Sequence, residues 1–442
     1  MGPARRCQPA RGRRLGWTGG DHGQAGSARA RGGALITIDG PSGVGKTAVA
    51  HLLATRFGLP YMSIGLLYRA LALAQRGGAT IGEAAAAISI HDAREGCEVG
   101  IRLGGRDVTR RLYGDPALEA AVARVASDRD ARARVAEIVR SWVGKRDAVL
   151  EGRTAHTFAG ERGVSFFLWA SADERARRTL TELTRRGVQA DLGDVAASIR
   201  RRDEHDRTRA EEPLRLHDSM LFVDSTAEPS VEGTVGILES LARHRRGEHP
   251  WRAAVVVPSG RPFRALPQQD LEADRYDVVD RAVAAEANAD VLVFVDPDRA
   301  IGPSFVRRHL EAHSRVTPLI LAGACPTPLG RDVREVVLDR SSGNVDRLRR
   351  PWELGDRANL SLSLRIVHAF GGDADASDRD WVDFVRRCCS AGVRIGYRRD
   401  IAAVGPPVRR VGLALPGRAV RFFPHLIGEQ MDNVVQLAAE EV

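Results

Sequence analysis

The run Gly40-Pro41-Ser42-Gly43-Val44-Gly45-Lys46-Thr47 fills every fixed position of G-x-x-x-x-G-K-[ST]. Glycines at this spacing turn successive backbone N–H groups inward onto phosphate oxygens. The helix that follows adds its N-terminal partial charge, Lys46 reaches the outer phosphates and the Thr47 hydroxyl ligates Mg²⁺. The chain therefore binds a nucleoside triphosphate. Lys46 is one of only two lysines among 66 basic residues, so a compact ammonium stands where arginine serves almost everywhere else. A second constellation lies downstream. Arg202, Asp206 and Arg209 are spaced i, i+4 and i+7, one face of a helix, within an eight-residue run holding three arginines. Two polyanions brought in line need cations around the phosphoryl group that moves between them. A triphosphate loop followed by an arginine-bearing helix face points to phosphoryl transfer.

The elements that must position these groups are legible around them. Ala34 to Asp39 is a short β-prone apolar run and Thr47 to Phe57 carries helical spacing, so strand, glycine loop and helix follow in the required order. With 442 residues and 43% apolar content, two or three domains with sizeable cores are expected. Residues 1–33 hold seven arginines against one aspartate, six of the nine net positive charges, and lack hydrophobic periodicity. They read as a disordered basic tail, or as an extension of the reading frame upstream of a start near the first strand. The remainder is close to neutral, so no specific nucleic-acid partner is expected. Five scattered cysteines, with no C-x-x-C pair, indicate neither a disulfide framework nor a zinc site and suit a reducing cytoplasm. No stretch approaches a membrane span. The polar stretch 241–250 reads as a linker dividing a first domain, 34–240, from a second, 251–442.

Further motifs follow in order: Gly65-Leu66-Leu67-Tyr68-Arg69, Asp107-Val108-Thr109, Glu151-Gly152-Arg153, the run Arg202 to Arg209, Pro213-Leu214 and Leu221-Phe222-Val223-Asp224. Over some two hundred residues the chain resembles the bacterial cytidylate kinases. That resemblance implies an α/β fold: the parallel sheet of a P-loop nucleoside monophosphate kinase with helices on both faces, using ATP and Mg²⁺. By position it implies acceptor contacts from Tyr68, Arg69, Arg132, Arg153 and Thr154, and phosphoryl-transfer roles for Lys46, Arg202, Asp206 and Arg209. The chain also departs from the pattern. Ser63-Ile64 stands where the family has an Asp-Ser or Asp-Thr pair, Ala123 replaces a serine that helps read the cytosine edge, and Thr154 replaces an aspartate that accepts from the cytosine amino group. The phosphate grip is kept and the base reader altered. The acceptor is then CMP or dCMP read less selectively, or another pyrimidine nucleotide or phosphonate; a domain that binds ATP without turnover is a third reading.

In the second domain, Trp251 to Pro258 and Ala289 to Val295 read as buried strands, and the latter runs into Asp296-Pro297-Asp298. Two hard carboxylates at a strand end suit Mg²⁺ or Mn²⁺ bridging a diphosphate. With His309, His313, Asn359-Leu360-Ser361, Phe370-Gly371-Gly372, Asp378-Arg379-Asp380, Gly392 and Tyr397, this half resembles the family 2 glycosyltransferases, implying a truncated GT-A fold. Asp378 then stands at the place of the base that deprotonates the acceptor hydroxyl. Only about forty residues separate Val255 from Asp296, short for a nucleotide-binding half, so a compact variant and a binding module both remain open. A nucleotide sugar joins the monophosphate among the expected small-molecule partners. The alternative for the whole chain is a glycosyltransferase whose P-loop domain phosphorylates another small acceptor or only binds nucleotide.

Overall fold

The computed structural model describes residues 35–92, 97–113, 115–144, 146–160, 163–228, 230–261, 267–317, 319–325, 354 and 357–404. The basic tail, Cys7 and the end of the second half beyond Val404 lie outside them. Short apolar runs make the central parallel strands of the first half: β1 (Leu35–Asp39), β2 (Tyr61–Ser63), β6 (Ala148–Glu151), β7 (Val164–Trp169) and β8 (Met220–Asp224). Near-continuous burial along them fits strands covered on both faces. The covering helices are α1 (Lys46–Phe57), α2 (Ile64–Arg76), α6 (Ala172–Arg185), α7 (Leu192–Thr208) and α8 (Val231–Arg245). Between β2 and β6 the chain adds α3 (Ile81–Ala87), started by a Thr80/Glu83 capping box, and a small antiparallel sheet of β3 (Ile88–His91), β4 (Gly100–Leu103) and β5 (Arg106–Asp107). Helices α4 (Pro116–Ser127) and α5 (Arg129–Val143) complete this insertion, N-capped by Asp115 and Asp128.

The stretch expected as a linker begins as helix. Helix α8 runs on to Arg245 because Leu241 and Ala242 fall on its buried face, and His244 then stacks on Trp251 with ring centres 5.2 Å apart. The second half forms a mixed sheet in the order β10-β9-β11-β15-β14-β16-β12. Its strands are β9 (Ala253–Val257), β10 (Tyr276–Asp280), β11 (Val291–Val295), β12 (Ala300–Ile301), β14 (Leu319–Ala324), β15 (Asn359–Ser363) and β16 (Arg394–Val404). Helices α9 (Phe305–His313), α10 (Leu364–Phe370) and α11 (Asp378–Ser390) accompany it, and α11 carries buried Cys388 and half-buried Cys389.

The two halves share a sheet edge. Strand β13 (Val316–Thr317), from the second half, pairs in parallel with β8, giving the first sheet the order β13-β8-β7-β1-β6-β2. Covering β8 in this way removes an exposed edge. One apolar core runs from Ile38 and Phe166 through Phe222 and Leu238 to Val255, Val293 and Phe305. No helix among the described residues is long and apolar enough to cross a membrane.

Candidate active site

The phosphate loop joins β1 to α1 at the carboxyl end of the first sheet, where crevices between parallel strands hold ligands. Gly40 passes so close to the Leu168 carbonyl that a Cβ would lie 2.1 Å from its oxygen, and Gly45 takes a left-handed φ of 93° at the helix cap. Helix α1 has no side-chain cap and no acid in its first turn, so its N–H groups and dipole stay open to an anion. The loop is braced from behind. Ser42 N donates to Asp203 Oδ1 at 2.8 Å, Arg175 (1% exposed) donates to the Ser42 carbonyl and pairs with Asp203, and Arg178 donates to the Val44 carbonyl at 3.3 Å.

Half-buried Lys46 donates from Nζ to the Pro41 carbonyl at 2.8 Å. Burial, followed by the neighbouring Arg153 charge, lowers its pKa to about 7. Beside it, Asp206 is 2% exposed and draws three arginines together: Arg153 Nε at 2.8 Å, Arg202 Nε at 3.5 Å and Arg209 Nη1 at 3.6 Å. Burial alone would raise the Asp206 pKa, but these cations and Lys46 outweigh it and hold the carboxyl below its ordinary value. Arg153 also donates to the Gly40 carbonyl, linking this cluster to the phosphate loop. Arg209 Nη2 is buried without a hydrogen-bond partner, a donor left for an incoming anion.

The expected single helical face is modified at its end. Helix α7 stops at Thr208, and Arg209 is already extended at φ −60°, ψ 142°, so it reaches Asp206 from the turn beyond. The turn closes as Leu214 N donates to the Asp206 carbonyl at 2.8 Å, which draws the chain back on itself. Arg132, only 9% exposed, donates to the Ala126 carbonyl at 3.1 Å, lies 3.5 Å from Thr154 Oγ1 and pairs with Glu212. Tyr68 is held above its ordinary pKa chiefly by burial, against the Arg132 and Arg209 charges nearby. Arg69 lies with its guanidinium 5.6 Å from the centre of the Tyr113 ring. Ile64 is buried and packs near Gly152, while half-buried Ala123 takes a hydrogen bond from Ser127, one helical turn on, through its carbonyl.

Several contributors carried no assignment in the sequence reading. Asp39, ending β1, accepts from Ala155 N at 2.7 Å and from His156 N and Nδ1 at 2.9 Å, pinning the turn that presents Arg153 and Thr154. Glu151 ends β6 in register with Ile38 and Ser63. Ser63 Oγ donates to its Oε1 at 2.6 Å, whereas Oε2 is buried without a hydrogen-bond partner. A hard oxygen left open beside Lys46 and the start of α1 fits a site for Mg²⁺. Its signal was the carboxylate that opens the run Glu151-Gly152-Arg153, whose arginine was expected at the acceptor.

The second-half residues form no comparable site. Asp296 Oδ1 accepts from Asp298 N at 3.1 Å, Asp298 pairs with Arg261, and Asp378 lies 2.8 Å from Arg357 at the start of α11. No group of three His, Cys, Asp or Glu able to hold a metal occurs among the described residues, and Asp296 and Asp298 stand as two carboxylates without a third. His309 and His313 are buried, sharing the Ser361 hydroxyl at 2.7 and 2.9 Å, with Asn359 Oδ1 3.2 Å from His309. Burial first, and the neighbouring His313 second, takes the His309 pKa to about 3; burial does the same for His313. They are a core pair.

A phosphate loop at the end of a parallel sheet, an inserted helical region and an arginine-bearing lid around one buried carboxylate define a P-loop nucleoside monophosphate kinase. The sequence profile described as Cytidylate kinase matches residues 36–242. The cytidylate kinase of Geobacter sulfurreducens is 33% identical over 232 residues, covering 51% of this chain and 99% of its own. That of Symbiobacterium thermophilum is 35% identical over 48% of this chain and 96% of its own, and that of Acidiphilium cryptum 36% identical over 43% and 87%. The chain belongs to the cytidylate kinase family.

Proposed function

We propose that the chain transfers the terminal phosphoryl group of ATP to CMP or dCMP, yielding the diphosphate. The observation that carries this reading is the convergence of Lys46, Arg153, Arg202 and Arg209 around Asp206, at the mouth of a helix whose N-terminus is free for phosphate. Thr47 and Glu151 would hold Mg²⁺, which would supply shielding of the charge on the donor phosphates. Lys46 and the arginines meet the charge spread over the transferring group, and the turn beyond α7 shuts out water. Arg69, Arg132, Arg153, Tyr68 and Thr154 face the acceptor. The members of the family named above are cytidylate kinases, which favours a cytidine nucleotide over the phosphonate alternative.

Coupled turnover of ATP against a panel of nucleoside monophosphates tests the reading. CMP and dCMP are expected to be the best acceptors, and Lys46→Ala to lower turnover by about 10²-fold or more. ATP binding with no acceptor phosphorylated sinks it. For residues 251–404 we propose a companion domain docked on β8, in a reducing cytoplasm, which suits described cysteines that form no disulfide. Glycosyl transfer by this half is not favoured, because Arg261 and Arg357 already hold Asp298 and Asp378. Hydrolysis of UDP- or GDP-sugars that depends on Asp298 and a divalent ion would reinstate it.

A further inference from the structure

The acceptor corner brings a threonine and a carboxylate to one arginine. Position 154 is a threonine, whose hydroxyl lies 3.5 Å from Arg132 Nη2. The same guanidinium nitrogen pairs with Glu212, on the turn that follows the lid helix. Among the described residues Glu212 is the sole non-glycine with positive φ, 45°, a conformation uncommon for a side chain of this kind. That turn is held on both sides. Arg209 Nε donates to the Glu212 carbonyl at 2.8 Å, and Leu214 N ties the next residues to the Asp206 carbonyl at 2.8 Å. The backbone is thus turned against its preference and fastened to the lid cluster, with the result that one acidic side chain pairs with Arg132, which also reaches Thr154, and lies near Tyr68. The neighbouring Glu211 reaches only Arg129, at 3.9 Å, outside this corner, and Asp206 is already engaged by three arginines.

We infer that Glu212 is a specificity-determining residue of the acceptor pocket: its carboxylate accepts a hydrogen bond from the exocyclic amino group of an aminopyrimidine base, the task Thr154 cannot perform with a charge. This rests on the cytidine-nucleotide reading above. The Glu212 side chain is 52% exposed and its partner Arg132 9%, so the carboxylate stands at the open side of the corner, available to a base that enters. A carboxylate has no donor, so it accepts from the 4-amino group of cytosine and repels the 4-oxo group of uracil.

The experiment compares kcat/KM for CMP and UMP in the full chain, Glu212→Gln, Glu212→Ala and the double variant Glu212→Ala/Thr154→Asp, with ATP KM measured in each. The wild-type chain is expected to prefer CMP. Glu212→Gln, whose amide both donates and accepts, should cut the CMP-to-UMP ratio by about 10-fold or more at unchanged ATP KM. The double variant should recover much of the preference. Equal losses on both acceptors, with the ratio kept, overturn the inference and leave Glu212 as a neutraliser of Arg132. A gain on both overturns it in favour of a plug. A wild-type chain that phosphorylates neither acceptor instead sinks the cytidine-nucleotide reading and this inference with it.

Discussion

Arg394, the first residue of β16, sets its Nε 3.1 Å from Asp224 Oδ2 at the end of β8, with its guanidinium 5.1 Å from the centre of the Phe222 ring. A cation from the second half thereby meets a buried aspartate of the kinase sheet. The other oxygen of Asp224 accepts from Thr226 N and Oγ1, and the adjoining Ser225 receives Arg178, which also grips the Val44 carbonyl of the phosphate loop. Arg394→Ala strips this charge partner from Asp224. The expected result is a loss of roughly 1–3 kcal/mol in stability together with a raised ATP KM, and partial rescue by Arg394→Lys. Chemical denaturation and ATP titration of kinase rates measure both. An unaltered ATP KM in a destabilised variant leaves docking of the second half without influence on the donor side.

Lys46 gives a proton-linked prediction. In the free site its pKa is about 7, lowered by burial and then by Arg153, so above that pH much of it is neutral. Donor phosphates favour the ammonium and raise its pKa again. ATP binding at about pH 8 should therefore take up a fraction of a proton, and affinity should fall as pH rises above about 7. Calorimetry in two buffers of different ionisation enthalpy reads the uptake directly. Lys46→Arg, charged throughout this range, should abolish the buffer dependence. A buffer-independent enthalpy in the wild-type chain contradicts the lowered value.

The buried pair His309 and His313 makes the second half acid-sensitive. Both stay neutral in the folded protein down to about pH 3, whereas in the unfolded chain they titrate near an ordinary histidine pKa of about 6.5. Between these values the unfolded state binds more protons, so the stability from this pair is complete above about pH 6.5 and drains away as pH falls toward about 3. Urea unfolding followed by tryptophan fluorescence, with Trp251 and Trp381 as reporters, should show a midpoint that drops between pH 7 and 5. Replacing both histidines by glutamine should flatten that drop, and an equally steep profile in the variant rules the pair out as its origin.

What could be read from the sequence was local. The phosphate loop is eight consecutive residues with its strand and helix attached, so chemistry and geometry are encoded together. Likewise the i, i+4 spacing of Arg202 and Asp206 on α7 foretold their meeting, while Arg209 escaped the same pattern because the helix had already ended. Contacts between distant segments left no such trace. Arg153 meets Asp206 across the site only because β6 and α7 end at the same edge of one sheet, and Asp39 meets His156 because β1 and β6 are neighbours. The addition of β13 to β8 was equally hidden, since Val316 and Thr317 form too short a run to announce a strand. Glu212 carried no reading at all; its left-handed backbone is something that sequence spacing does not reveal.

Asp206 is the sharpest test of the site as a unit. It contacts neither the phosphate loop amides nor Thr47 through any described hydrogen bond, yet Arg153, Arg202 and Arg209 are all oriented on it. Asp206→Asn keeps the shape and removes the charge. Three guanidinium groups then face one another across a neutral amide, and their mutual repulsion opens the cluster that should close on the transferring phosphoryl. Turnover is expected to fall by on the order of 10²-fold with ATP affinity little changed, because the uncapped N-terminus of α1 and Lys46 still hold the donor. Inorganic phosphate or sulfate should bind the variant more tightly than the wild-type chain, since an anion now supplies the charge the arginines lack. A variant with undiminished kcat means that the arginines are positioned without Asp206, and the carboxylate is then only a counterion to a cluster that the backbone alone arranges.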